Sequence, residues 1–237
     1  MQRWAMISAA VLAACVLAAG SAEAQNGSSG AGGSAQTPGG DAAEIPQLRQ
    51  RAEQGDASAQ FSLGSMYFEG FGVPQNDAEA VRWFRLAADQ GNASAQFSLG
   101  LMYFAGEGVP QNDAEAVRWF RLAADQGNAD AQLHLGFMYD TGRGVSQNDA
   151  EAVRWFRLAA DQGNAGAQFA LGTKYFIGRG LPQDYAEAYK WFNLAAAAGN
   201  ASARRHRDRI MQHMTPAQIA EGQRRSAEWR PANGPQQ

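Results

Sequence analysis

The chain has 237 residues, 20 lysines and arginines against 23 acids, a net charge of −3, and a single cysteine. One cysteine excludes a disulfide framework and a cysteine zinc cluster. The slight negative balance excludes general nucleic-acid binding, which needs a basic surface.

Arg3 precedes an apolar stretch from Trp4 to Ala19, and the small-residue triplet Ala22-Glu23-Ala24 follows. A positive start, an apolar middle and small residues at a cleavage site make a secretory leader, so cleavage is expected after Ala24. The apolar run is shorter than the roughly 20 residues a spanning helix needs, and no other segment is apolar enough to span. The expected product is periplasmic or secreted. Leu12-Ala13-Ala14-Cys15 also resembles the lipobox of bacterial lipoproteins, so an envelope lipoprotein anchored at Cys15 is the alternative. Cleavage after Ala24 would leave a chain without cysteine, stabilised by packing alone.

Residues 25–46 are rich in Gly, Ser, Ala and Gln without apolar periodicity, which predicts a disordered tether. From Ala57 to Asn200 four copies of one 36-residue unit run end to end (57–92, 93–128, 129–164, 165–200), with Trp83, Trp119, Trp155 and Trp191 in register. Such a period with helical patterning predicts a solenoid in which each unit packs on its neighbours, an architecture suited to binding.

Within the first copy Ala59, Leu63, Gly64, Tyr67 and Phe68 recur at helical spacing and predict a helix, A, over 57–69. Gly64 recurs as Gly100, Gly136 and Gly172. A helical glycine costs about 1 kcal/mol relative to alanine, so its repetition predicts close approach of a second helix. Gly70-Phe71-Gly72-Val73-Pro74 ends helix A and turns the chain. Asn76 with Glu79 three residues on predicts a capping box opening helix B, which continues through Ala80, Trp83, Phe84, Ala87 and Ala88 to Gly91.

These residues, from Ala59-Gln60 and Leu63-Gly64 through Gly70-x-Gly72-Val73-Pro74, Trp83-Phe84 and Ala87-Ala88 to Gly91-Asn92, resemble the Sel1-like repeat, a relative of the tetratricopeptide repeat. The resemblance covers 57–200. It implies an all-α fold, a right-handed α-solenoid of helix-turn-helix repeats, whose A helices line a concave face that holds other proteins. Some cysteine-rich relatives are linked to cell-wall and β-lactam chemistry, but paired cysteines are missing here. Arg49 to Asp56 resembles the last quarter of a unit, which predicts an N-terminal capping helix over 47–56.

Asn76–Ala93, Asn112–Ala129 and Asn148–Ala165 are identical, whereas every difference among the first three copies lies in helix A or its loop. The variable helix-A positions are spaced by four, three and four, which draws one stripe on the helix. In copy one it holds Ser58, Ser62, Ser65 and Glu69, and in copy two Ser94, Ser98, Leu101 and Ala105. Copy three has Asp130, His134, Phe137 and Thr141, and copy four has Gly166, Ala170, Thr173 and Ile177. Two readings stand: a concave protein-binding surface with Leu101 and Phe137 as a shared apolar anchor, or tolerant solvent positions.

On helix B, Glu79, Arg82, Arg85 and Asp89 interleave signs and predict a solvated face, with Arg85 and Asp89 paired at i, i+4. Residues 201–230 carry seven arginines and three acids and predict two further helices, the second opened by Thr215-Pro216. They are read as a helical cap on the last repeat, with an anionic docking patch as the alternative. Residues 231–237 are expected to be disordered.

No nucleophile elbow, phosphate loop or zinc motif is present, and neither a cofactor nor a metal is expected. His134, with Asp130 at i−4, is the one pairing that could act as base and orienter. The expected function is therefore a non-enzymatic scaffold for a protein partner, with a cell-wall or β-lactam enzyme as the alternative.

Overall fold

The computed structural model describes residues 44–232. The leader, its cleavage site after Ala24, the Cys15 lipobox, residues 25–43 of the expected tether and 233–237 of the expected tail lie outside the described residues. Residues 44–46, expected as tether, instead open the capping helix, which runs Glu44–Glu53 and not 47–56. Ala232, expected as disordered tail, donates its N–H to the Asp161 carbonyl at 2.7 Å. Among the described residues every element is a helix, and no helix is long and apolar enough to cross a membrane. In chain order these are α1 (Glu44–Glu53), α2 (Ala57–Glu69), α3 (Asp77–Asp89), α4 (Ala93–Ala105), α5 (Asp113–Asp125), α6 (Ala129–Thr141), α7 (Asp149–Asp161), α8 (Ala165–Ile177), α9 (Tyr185–Ala197), α10 (Ala201–Met211) and α11 (Pro216–Glu228). The architecture is an all-α solenoid of helix-turn-helix repeats. It divides into two compact units, one holding α1–α4 and the other α5–α11.

In the first unit consecutive helices pack pairwise from α1 to α4. The α2–α3 seam forms because Gly64 has no side chain: a Cβ there would stand 2.7 Å from the ring of Phe84, itself fully buried. Burying a phenylalanine contributes about 2–3 kcal/mol, which exceeds the helix cost of the glycine. Gly136 under Phe156 and Gly172 under Phe192 repeat the seam in the second unit.

Each helix A starts at an Asx cap and ends at a left-handed glycine; Asn92 accepts from Ala95 N, and Gly106 at φ 77 closes α4. On helix B, Asn76 accepts from Glu79 N at 3.1 Å, which is half of the expected capping box. The Glu79 carboxylate instead pairs with Arg82 at 3.2 Å, because Arg82 lies within reach on the same face.

Three further contacts join one copy to the next. The second loop glycine lies on the start of the preceding helix B: a Cβ on Gly108 would collide with the Asp77 carbonyl, and one on Gly144 with that of Asp113. A buried glutamine reaches back to the last carbonyls of the preceding helix, Gln60 to Ala52 O at 3.0 Å and Gln132 to Ala124 O at 3.1 Å, satisfying groups a helix end leaves unpaired. A second glutamine closes this link, Gln90 on Gln60 at 2.6 Å and Gln162 on Gln132 at 2.8 Å. Copy four has Ala198 at that place, which is why the Gln168 side-chain oxygen is buried without a partner.

The third contact corrects the expected Arg85–Asp89 pairing. Arg85 donates to the Tyr103 hydroxyl of the next copy, Arg121 to Tyr139, and Arg157 to Tyr175 at 2.5 Å. The guanidinium also lies over the tyrosine ring, 5.9 Å from the centroid for Arg85, so the contact combines a hydrogen bond with a cation–π attraction. Helix α1 behaves as a helix B in both respects, since Arg49 donates to Tyr67 at 3.1 Å and Gln60 bonds the Ala52 carbonyl.

In the second unit α9 is covered on two sides. Helix α10 packs on it through Ala203 and Ile210, and α11 lies along it with Gly222 against the ring of Tyr189. Thr215 and Gln218 close a capping box with Pro216 in the first turn of α11, as the sequence predicts. Arg225 binds Asp184 at 3.1 Å and Glu187 at 2.9 Å, and Trp229 meets Trp191 edge-on at 6.4 Å.

Candidate functional site: the helix-A face

The stripe divides by exposure. In the first unit Ser58, Ser62, Ser94 and Ala105 are exposed, and Ser65 and Glu69 are half-exposed. Ser98 and Leu101 are buried, Leu101 to 1% exposure. In the second unit Asp130 and Ile177 are exposed, Ile177 to 45%, while Thr141, Gly166 and Thr173 are half-exposed. His134, Phe137 and Ala170 are buried.

The anchor formed by Leu101 and Phe137 is therefore corrected. Phe137 turns in and meets Phe156 edge-on at 5.0 Å, so its area serves the core of its own copy. Ser65 and Thr173, at the equivalent position, are half-exposed, which shows that side-chain size decides the outcome there. A long apolar side chain reaches the neighbouring hydrophobic surface, whereas a short hydroxyl stays at the rim.

Four hydroxyls of the stripe bond within their own helix. Ser62 donates to Ser58 O at 2.9 Å, Ser65 to Phe61 O at 3.1 Å, Thr141 to Phe137 O at 2.8 Å and Thr173 to Phe169 O at 3.0 Å. The donors of these four are used, so at these places each helix offers methyl or methylene surface with acceptor lone pairs.

The possible base and orienter are not assembled. His134 Nδ1 lies 2.8 Å from the backbone carbonyl of Asp130, so it donates there. The Asp130 carboxylate accepts instead from Asn164 at 2.8 Å. The imidazole is 1% exposed and 5.3 Å from the Phe120 ring. Burial depresses its pKa below the ordinary 6.5, against a smaller opposing pull from the Asp130 carbonyl and charge. A neutral, enclosed imidazole has no route to a substrate.

That burial has a consequence for pH. The folded chain keeps His134 neutral, while the unfolded imidazole takes up a proton below about pH 6.5. Its contribution is complete above that pH and declines as the pH falls through it, by up to about 1.4 kcal/mol per pH unit. Thermal unfolding between pH 7.5 and 5.5 is expected to show a steeper fall in Tm for the native chain than for His134→Ala, the side chain that Ala170 supplies in copy four. Equal slopes contradict the assignment.

Sequence reasoning passed over one surface feature: Leu86 in the first unit, and Leu122 and Leu158 in the second, are about 40% exposed on helix B. Their signal was present, a leucine at a fixed place on an otherwise charged face. A second such feature is a groove in the first unit, lined by residues that include Ile45, Pro46, Arg49, Val73 and Pro74. Among the described residues no cluster of potential ligands could hold a metal ion.

A solenoid of 36-residue helical hairpins with this glycine, glutamine and tryptophan framework belongs to a defined class. The family described as Sel1 repeat matches at residues 57–92, 93–128, 129–164 and 165–200, and the chain belongs to that family. Among solved structures it is similar to c5321, a protective antigen present in uropathogenic Escherichia coli strains that displays an SLR fold: 42% identity, 77% of this chain and 40% of that chain covered, TM-score 0.70. It is also similar to a Sel1 repeat protein from Oxalobacter formigenes, with 29% identity, 80% of this chain and 86% of that one covered, and a TM-score of 0.66. The chain thus spans well under half the length of the first of these. Among curated proteins no match is found. Sel1-repeat proteins are generally non-catalytic and serve in protein interactions.

Proposed function

We propose that this chain is a non-enzymatic scaffold of the bacterial periplasm or envelope, holding a protein partner on the exposed part of its helix-A face. The observation that carries the reading is where the copies differ. Helix B and its ends are identical in the first three copies, and they carry the joints: the Phe84 seam and Gln90 hold the two helices of one copy together, and Arg85 reaches Tyr103 of the next. Among these three copies variation is confined to helix A and its loop, where Ser62, Ala105 and Asp130 reach solvent; copy four varies in helix B as well, and on its helix A Thr173 and Ile177 reach solvent at least in part. A stacked array that keeps its joints and varies one face is built to change what it holds. Export rests on the leader pattern at the N-terminus.

The contact set consists of Ser62, Ser65, Glu69, Ala105, Asp130, Thr141, Thr173 and Ile177, with Ser98, Leu101, His134 and Phe137 as support beneath it. Replacing Ser62, Ala105 and Thr173 together by arginine tests the reading, because these positions tolerate long polar side chains without entering the core. Partner crosslinking in the native envelope is expected to fall at least about tenfold with helicity unchanged. An unchanged set of crosslinked proteins rejects this face.

A further inference from the structure

Helix α10 is a helix A whose helix B is missing. Asn200 caps it through Ala203 N at 2.9 Å, as Asn164 caps α8 through Ala167 N at 3.0 Å. Its inner side packs on α9 through Ala203 and Ile210. In copies one, three and four the fourth and eighth residues of helix A, Gln60 and Gly64, Gln132 and Gly136, Gln168 and Gly172, are buried, the glycines under helix B of the same copy. The equivalent residues of α10 are Arg204 and Asp208, and both are exposed. Helix α11 does not take the vacant place, because it lies along α9.

The chemistry of this open side differs from that of the seams in copies one, three and four. Arg205 stands where Phe61 meets Phe84 in copy one, and is exposed with only Ser202 as partner at 3.0 Å. Among the described residues the side chains of Arg204 and Arg209 make no hydrogen bond or ion pair. The repeat arginines are used otherwise: Arg82 on Glu79, Arg85 on Tyr103, Arg143 on Asp113. The acid in the seat, Asp208, is held by Arg207 at 2.8 Å. Three arginines with free donors on a surface shaped for a helix form a cationic seat.

We propose that the open side of α10 seats a helix of a partner protein whose facing side is acidic. Continuity with the A–B packing of the copies supplies the geometry. Carboxylates at the places of Ala80 and Ala87 meet Arg204, Arg205 and Arg209, and a small residue replaces Phe84 because Asp208 fills the space that Gly64 leaves open. Arg209 stands at the stripe register of Ser65 and Phe137, but Arg204 and Arg205 lie off it at the registers of Gln60 and Phe61, so variants of these two test the seat independently of the helix-A proposal.

The probe is a helix-stapled peptide copying residues 148–162, with glutamate in place of Ala152 and Ala159 and alanine in place of Phe156. It is expected to bind the purified chain, and Arg204→Glu with Arg205→Glu is expected to weaken binding at least tenfold. Arg204→Gln with Arg205→Gln gives a smaller loss and serves if charge reversal disturbs the fold. The helix-A triple arginine variant is expected to bind the probe unchanged. No binding, equal or tighter binding of the unsubstituted peptide, insensitivity to both double variants, or displacement by vesicles rich in anionic phospholipid would each overturn the proposal.

Discussion

Replacing Gly144 by alanine is expected to destabilise the second unit by about 2–5 kcal/mol, from two separable causes. Gly144 sits at φ 65, where a side chain costs about 1–2 kcal/mol. A Cβ there would also collide with the Asp113 carbonyl and peptide carbon. Backbone at a capped helix start cannot yield as a flexible side chain can, so forced overlap adds about 1–3 kcal/mol. Gly127 separates the two causes, since it has φ 89 and nothing lies within 4 Å of where an alanine methyl would stand. Gly127→Ala is therefore expected to cost only the conformational part. Denaturant titration of both variants checks this, and similar losses contradict the close packing of the loop on the preceding helix.

The second large effect is expected at Lys174. Its side chain is 4% exposed, and its ammonium binds the carboxylates of Asp140 and Asp149, the latter at 2.9 Å. In copies one to three a methionine occupies that position (Met66, Met102, Met138), and a phenylalanine stands at the position of Asp140 in the other copies (Phe68, Phe104, Phe176). An apolar pair has thus been exchanged for an ionic one between copies three and four. Lys174→Met strands the Asp140 carboxylate, 13% exposed, and is expected to cost about 3–5 kcal/mol. Adding Asp140→Phe restores the arrangement of the other copies and is expected to recover most of the loss, because a well-packed apolar pair matches a buried ion pair in stability. A double variant no more stable than Lys174→Met contradicts the exchange.

The same cluster links to acid. Burial opposes the charge on Asp149, yet the hydrogen bonds and charges of Lys174 and Arg179 outweigh it and hold the carboxyl below its ordinary pKa of 3.8. Its stabilisation is present above that pH and lost as pH falls through the lower folded value, well apart from the window of His134.

How far the sequence could be read follows from what repeats. Gly64, Phe84 and Trp83 recur at one period, so the helix pairs and the seam between them were legible from spacing alone. The caps at Asn76 and Thr215 were legible because capping chemistry is local. The inter-copy ladder was not, since Arg85 and Tyr103 lie 18 residues apart and no local rule selects a tyrosine over Asp89. The inward turn of Leu101 and Phe137 was missed for a related reason. Spacing places a side chain on a helix face, but whether it reaches water depends on the neighbouring surface, and one position is half-exposed as Ser65 and buried as Phe137. Lys174 was hidden because its partner Asp140 lies in another copy, so neither substitution explains itself alone.

The central claim, that the chain keeps helix B for its joints and presents helix A to a partner, is tested most directly by photocrosslinking amino acids placed one at a time. Ser62, Ala105, Thr173 and Ile177 report on helix A, and Leu86, Leu122 and Leu158 on helix B. The account predicts partner adducts from the helix-A positions and none from the three leucines. Adducts confined to the leucines would contradict it.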